Sequence, residues 1–247
     1  MCRQNRPGDT KGGGMANLAI ITARGGSKRI PEKNIKEFCG KPIIAYSIEA
    51  ALNSGLFDEV MVSTDSVKIA EIAREYGAEV PFMRSETTSG DFATTRDVLM
   101  EVITKYRELG KTFDYMCCIY PTAPFVTPEK LKEAMRTMKD NGYYEMVSVV
   151  SFSFPPQRSF IIEDGELKWK WPEYRNSRSQ DLEKFYHDAG QFYIYNASKY
   201  LECDGVIGDR RAPFILPETE VQDIDNYEDW EIAELKYTAM MKKESIW

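Results

Sequence analysis

The chain has 247 residues, 43% hydrophobic and 29% charged, which suits one α/β domain with a full core that needs no disulfides or metals to hold it. No apolar run approaches the roughly 20 residues that span a bilayer. A formal net charge of -7 repels DNA, RNA and anionic lipid, so neither a membrane nor a nucleic acid is an expected partner. Five cysteines without CxxC spacing and a single histidine, His187, argue against a zinc site and a secreted disulfide framework. Reduced thiols and a cytoplasmic location are expected, with chemistry carried by carboxylates, cations and backbone.

Residues 1–14 are polar and aperiodic, end in Lys11-Gly12-Gly13-Gly14, and read as a disordered extension or cloning scar ahead of one domain over 15–247. From Leu18 short apolar runs alternate with helical periodicity, the pattern of a mainly parallel sheet with helices on both faces. Residues 18–22 read as the first strand. Ile44, Ile48, Ala51 and Leu52 mark a helix face stopped at Gly55, 59–63 form a strand, and Ile69, Ile72 and Ala73 mark a helix stopped at Gly77. Strands at 115–119 and 146–150 flank a helix opened by Thr127-Pro128, with Leu131, Ala134, Met135 and Met138 on its buried stripe and Asn141-Gly142 at its end. The alternation breaks over about 151–186. There Phe154-Pro155-Pro156, an Asp164-Gly165 turn and Trp169-Lys170-Trp171-Pro172 predict a hairpin with loops, an inserted arm whose aromatics suit dimerisation. A long loop folded onto its own domain is the alternative. Residues 191–195 and 221–224 read as strands, and Tyr227 onward as a terminal helix.

The run Ala23-Arg24-Gly25-Gly26-Ser27-Lys28-Arg29-Ile30-Pro31-Glu32-Lys33-Asn34 lies at the carboxyl end of the first strand, where open α/β sheets bind ligands. Adjacent glycines let backbone N–H groups approach an anion, and Arg24, Lys28, Arg29 and Lys33 add charge, as a polyphosphate requires. It is not a Walker A loop, since Gly110-Lys111-Thr112 lacks the upstream glycine, and no dinucleotide fingerprint occurs. Later, Asp223-Ile224-Asp225 aims two carboxylates at one face of an extended backbone, donors that suit Mg²⁺ together with substrate phosphates. Asp225 as N-cap of the terminal helix is the competing role.

The run from Ala23 to Asn34 resembles the first signature motif of the CMP-sialic acid synthetase family, the acylneuraminate cytidylyltransferases, and further motifs follow in that family's order to the C-terminus. The resemblance implies a Rossmann-like nucleotide-sugar transferase fold, CTP as co-substrate, Mg²⁺ and a nonulosonic acid acceptor; the homodimer is expected from the arm's aromatics. It implies that Arg24 and Lys33 hold the triphosphate and Asn34 contacts the nucleotide, in a binding loop with Ala23, Gly25, Gly26 and Ser27. Arg84, with Ser89 or Thr94, is implied to read cytosine, and Asp223 and Asp225 match the metal-binding aspartates. Tyr120-Pro121-Thr122-Ala123-Pro124 resembles the family's Gln-Pro-Thr-Ser-Pro turn, which turns Tyr120 and Thr122 toward the sugar, with Tyr120 in place of the glutamine. The related Kdo cytidylyltransferases carry Lys-Pro where this chain has Lys33-Asn34. His187-Asp188-Ala189-Gly190-Gln191-Phe192 resembles the branch acting on pseudaminic acid. That implies His187, Gln191 and Phe192 in the sugar site, with Arg178 as a guanidinium fork on the sugar carboxylate. The plainer readings pair Arg178 with Asp181 and let His187 cap a turn. N-acetylneuraminate as the sugar, or a non-catalytic nucleotide-binding module, are the alternative functions.

Overall fold

The computed structural model describes residues 16–244, so the reading of 1–14 lies outside the described residues. Strand β1 (Asn17–Thr22) is continuously apolar because both of its faces are covered: Ala19 and Ile21 turn to one helical layer, Leu18 and Ile20 to the other. Then come β2 (Glu37–Phe38), β3 (Lys41–Pro42), α1 (Ile43–Ser54), β4 (Glu59–Ser63), α2 (Val67–Glu75), the single turn α3 (Glu86–Ser89), α4 (Thr95–Glu108), β5 (Tyr115–Ile119), α5 (Pro128–Asn141) and β6 (Glu145–Ser151). A hairpin of β7 (Phe160–Glu163) and β8 (Glu166–Trp169) precedes β9 (Tyr186–Asn196), α6 (Ala197–Glu202), β10 (Arg211–Leu216) and α7 (Tyr227–Glu244).

The main sheet runs β10-β6-β9-β5-β1-β4. Strands β4, β1 and β5 are parallel to one another, as are β6 and β10, and only β9 runs antiparallel, between β5 and β6. The sheet is therefore mainly parallel, and its carboxyl ends share one edge. Helices α1, α2 and α5 cover one face through Ile48, Ile69 and Met135, while α4 and α6 cover the other through Leu99, Tyr106 and Tyr200. Helix α7 closes a third cluster, in which Trp230 and Met240 meet Phe38, Tyr46, Ile30 and Ile224. No helix among the described residues is long and apolar enough to cross a membrane.

Local signals explain most boundaries. Thr127 accepts from the Lys130 amide at the start of α5, and Gly142 leaves that helix at φ 61°. Helix α4 was absent from the sequence expectation although its start is signalled: Thr94 and Asp97 form a reciprocal capping box. Leu52, 40% exposed, does not belong to the buried face of α1. Residues 221–224 are not a strand, because lysines take their carbonyls instead: Lys236 Nζ donates to Val221 O (2.7 Å) and Lys33 Nζ to Ile224 O (2.6 Å). The strand in that region is β10, which the sequence reading missed. Its Pro213 is tolerated because β10 is an edge strand paired with β6 alone.

Between β6 and β9 the chain forms the expected hairpin, turning through Asp164 (φ 54°) and Gly165 (φ 81°), the positive pair that a tight two-residue turn demands. Phe160 packs on Trp169 at 4.2 Å between ring centroids. Phe152, Phe154, Ile162, Leu167 and Trp171 remain exposed. Cys39, Cys117 and Cys118 are free thiols, the last two buried.

Candidate active site

Past Thr22 the chain enters the glycine loop at the carboxyl edge of the sheet. Asp65, just beyond β4, accepts from the Gly25 amide at 2.7 Å. A Cβ on Gly25 would lie 3.1 Å from Ser66 Cβ, a tight contact that would push the two loops apart by a few tenths of an ångström, whereas Gly26 faces open space. The buried Asn34 amide donates to Arg24 O at 2.9 Å and ties the end of the loop to its start. Around this frame lies a cleft of ≈ 370 Å³ bordered by Arg24, Ser27, Lys28, Arg29, Lys33 and Asn34, with Thr122 across from them. Ala23 does not border it: the residue is buried in the core, its N–H bonded to Ser63 O.

Four cations thus converge, and two acids meet them. Asp91 takes Arg24 (3.1 Å) and Lys28 (2.5 Å), and Asp225 takes Arg29 (2.6 Å) with Lys33 at 4.0 Å. The Lys28 hydrogen bond, more than any other contact, holds the Asp91 carboxyl below the usual carboxylate range. Pairs this exposed are individually weak, so an entering polyanion can displace the carboxylates at little cost. Lys33 is the least exposed of the four cations, and burial pushes its ammonium below the usual lysine range against the pull of Asp225 and Asp223.

Arg24 also borders a second cleft of ≈ 380 Å³ with Arg84, Asp91, Thr94, Thr95 and Tyr120. Arg84, 8% exposed, is fixed at the end of β4 by donating Nε to Ser63 Oγ (3.1 Å) and Nη2 to Ser63 O (2.7 Å). Burial lowers its guanidinium pKa, opposed by Asp65 and Glu101. Thr94 reaches this cleft while serving as the cap of α4. Ser89 does not reach it: on α3 its hydroxyl donates to Ser85 O at 2.7 Å.

Tyr120 divides this cleft from a third cavity of ≈ 500 Å³, with its hydroxyl 3.1 Å from Thr95 Oγ1 and its ring 5.4 Å from that of Tyr193. A large bulge in β9 shapes that cavity. Val147 pairs with Tyr193 and Val149 with Asp188, so Ala189, Gly190, Gln191 and Phe192 all stand against Ser148, whose hydroxyl accepts the Phe192 amide at 3.1 Å. His187, Asp188 and Tyr193 line the cavity, and His187 Nδ1 lies 2.9 Å from Asp188 O. Four expected sugar-site residues lie elsewhere, and Thr122 is one, bordering the basic cleft instead. Gln191 is 1% exposed and donates to Glu220 O (2.6 Å), while Phe192 is fully buried against Phe214, because the bulge turns both inward. Arg178 is exposed on the arm, with its fork engaged by Asp181 at 2.7 and 3.2 Å. Conversely, the sequence reading assigned no role to Asp188, Tyr193 or Lys236, all three of which line the cavity.

Asp223 lines the same cavity, and Asp225 pairs into the basic cleft. Ile224 between them is buried against α7, so the period of two turns both acids outward. Asp225 is not the helix cap: Asn226 is, exchanging bonds of 3.0 Å with Asp229 in both directions. Burial, then the Asp225 charge, raises the Asp223 carboxyl above the usual range. Two oxygen-donor acids whose mutual repulsion is only partly offset by Lys33 and Arg29 form a donor set that fits a hard divalent cation. Among the described residues no group of three or more His, Cys, Asp or Glu gathers as a metal site, so the protein's share here is a pair.

The family model described as Cytidylyltransferase matches residues 18–202. The chain is 43% identical over 224 residues to a pseudaminic acid cytidylyltransferase of Campylobacter jejuni, covering 90% of this chain and 97% of that protein. It is 36% identical over 229 residues to the CMP-N,N'-diacetyllegionaminic acid synthase of Legionella pneumophila, covering 89% and 95%. Among solved structures, a CMP:2-keto-3-deoxy-manno-octonic acid synthetase complexed with CTP matches with a TM-score of 0.66 at 18% identity, covering 93% of this chain and 99% of that one, a likeness of fold.

Proposed function

The chain belongs to the cytidylyltransferase family, and on that premise we propose that it joins the CMP of CTP to pseudaminic acid with release of pyrophosphate. The observation that carries this reading is the continuity of the three clefts. The basic cleft and the Arg84 cleft share Arg24, the Arg84 cleft and the large cavity share Tyr120, and the Asp223–Asp225 segment spans from the large cavity back to the basic cleft. The triphosphate lies against Arg24, Lys28, Arg29 and Lys33, the cytosine beside Arg84, and the sugar acid beside His187 and Tyr193. The anomeric hydroxyl then attacks the α-phosphorus in line, and the cations hold the charge that builds on the phosphate oxygens. Asp223 and Asp225 would hold Mg²⁺, which when bound neutralises phosphate charge.

The similarity to the Campylobacter jejuni enzyme supports pseudaminic acid over other nonulosonic acids. The exposed Phe152, Phe154, Ile162, Leu167 and Trp171 support a homodimer formed through the arm, and the dependence on CTP supports a cytoplasmic site of action. The test measures pyrophosphate release and CMP-sugar formation with CTP, Mg²⁺ and either pseudaminic acid or N-acetylneuraminate. A higher kcat/KM for pseudaminic acid is expected. Preference for N-acetylneuraminate would return the chain to the sialate branch, and no product from either sugar would overturn the reading.

A further inference from the structure

Building on the proposed sugar acid, we propose that Asp188 binds that sugar by accepting one of its acylamido N–H groups, with Tyr193 and Gly190 holding the Asp188 carboxylate in position. The bulge in β9 carries Asp188 into the large cavity and brings two donors onto one of its oxygens: Oδ1 accepts from the Gly190 amide at 2.8 Å and from the Tyr193 hydroxyl at 2.7 Å. That leaves Oδ2 as the oxygen presented to a ligand, at a fixed position. Burial, first of all, raises the Tyr193 hydroxyl far above the usual tyrosine range, so it stays protonated as a donor.

The rest of the lining favours a ligand that brings N–H groups. Lys236, the lysine of this wall, already donates to Glu218 O (3.2 Å), Val221 O (2.7 Å) and Gln222 Oε1 (3.1 Å). Glu218 Oε1 accepts from Ser153 at 2.5 Å. Val150, Ala189 and Val221 supply apolar surface beside Asp188, where the methyl of an acyl group can lie. A hydroxyl rotates to find an acceptor, whereas an amide N–H is a single donor of fixed direction and gains most from an acceptor locked in place.

Asp188→Asn tests this directly. The Gly190 amide demands an oxygen opposite it, so the asparagine oxygen must take the Oδ1 position and its NH₂ then faces the sugar as a donor meeting a donor. Kinetics at saturating CTP should show KM for pseudaminic acid rising about ten- to a hundredfold, the loss of a charge-assisted bond, with KM for CTP unchanged. Tyr193→Phe, which releases Oδ1, should raise the same KM about threefold, and the double variant should fall short of the product of the two effects because both act through one carboxylate. A sugar KM within twofold of wild type in folded Asp188→Asn, or an equal rise in KM for CTP, overturns the inference. If Asp188→Asn does not fold, an unchanged sugar KM in Tyr193→Phe overturns it instead. A wild-type enzyme that makes no CMP-pseudaminate overturns the substrate reading, whereas an unchanged sugar KM beside an active wild type overturns this inference alone.

Discussion

Lys33→Ala separates structural from chemical roles at the centre of the site. The Lys33 ammonium donates to Ile224 O at 2.6 Å and stands 4.0 Å from Asp225 Oδ1, so one side chain joins the glycine loop to the carboxylate segment. Leaving a partly buried carbonyl without its donor costs about 1–3 kcal/mol, which a domain stable by about 5–15 kcal/mol survives. The catalytic loss is larger. Removing a preorganised donor aimed at developing charge costs about 2.7–4 kcal/mol, or about 10²–10³ in kcat. Urea denaturation reads the first quantity, and pyrophosphate release at saturating CTP and sugar reads the second. Lys33→Arg keeps the charge but spreads it over a planar fork, so it should recover stability better than turnover. A folded Lys33→Ala variant with kcat within about threefold of wild type would refute the placement of phosphate charge at this ammonium.

Asp223→Asn and Asp225→Asn should each abolish most activity, as should excess chelator, and full turnover in chelator would refute a metal role for the pair. Because the Asp223 carboxyl is raised in the folded state, stability falls as pH climbs from the ordinary carboxylate value through the raised one; Asp223→Asn should remove that fall and be slightly more stable at neutral pH, by a small margin because the side chain reaches solvent. Activity has the opposite sign, rising with pH as Asp223 ionises, and a thermal melt series beside a pH–rate profile reads both. Asp91→Asn should lower KM for CTP, since Asp91 occupies Arg24 and Lys28 before the triphosphate arrives; an increase would mean that Asp91 shapes the cleft rather than competes for it. Light scattering at micromolar concentration should give a dimer that Ile162→Asp with Leu167→Asp converts to monomer, and a monomeric wild type would remove the arm's assigned role.

The sheet was legible where helices cover both faces of a strand, whether the strand is internal like β5 or at the edge like β4. Residues 59–63 and 115–119 match β4 and β5 to the residue, since a strand covered on both faces is an apolar run bounded by turns. The proline-bearing edge strand β10 and the segment before the terminal helix were less legible. At β10, Pro213 reads as a breaker until the structure shows that only one side of the strand pairs; at 221–224, β-branched residues suggest a strand whose carbonyls are taken by Lys33 and Lys236, partners 191 and 15 residues away. The glycine loop was legible as a local cluster of charge. Its acidic counterparts Asp65, Asp91 and Asp225 come from three other segments, and no spacing rule links them to it.

The sugar side shows the limit most clearly, and β9 explains why. Reading 191–195 as a regular strand makes Gln191 and Tyr193 share one face and Phe192 take the other, but gives no reason to choose between the faces. The bulge opposite Ser148 changes the register, so that Val149 meets Asp188 rather than the residue that regular pairing demands. Gly190, at φ 62°, permits the turn, and the Ser148 hydroxyl and the Asp188 carboxylate absorb the amides of Phe192 and Gly190 that the interrupted ladder leaves unpaired. The same displacement that buries Gln191 and Phe192 therefore delivers Asp188 and Tyr193 to the cavity. One backbone irregularity, encoded by a glycine and two polar side chains distant from each other in sequence, decides which half of the segment is core and which half is site. The His187-Asp188-Ala189-Gly190 string is a motif because its glycine makes the bulge and its aspartate ties the bulge down, and the proposed sugar contacts rest on that geometry.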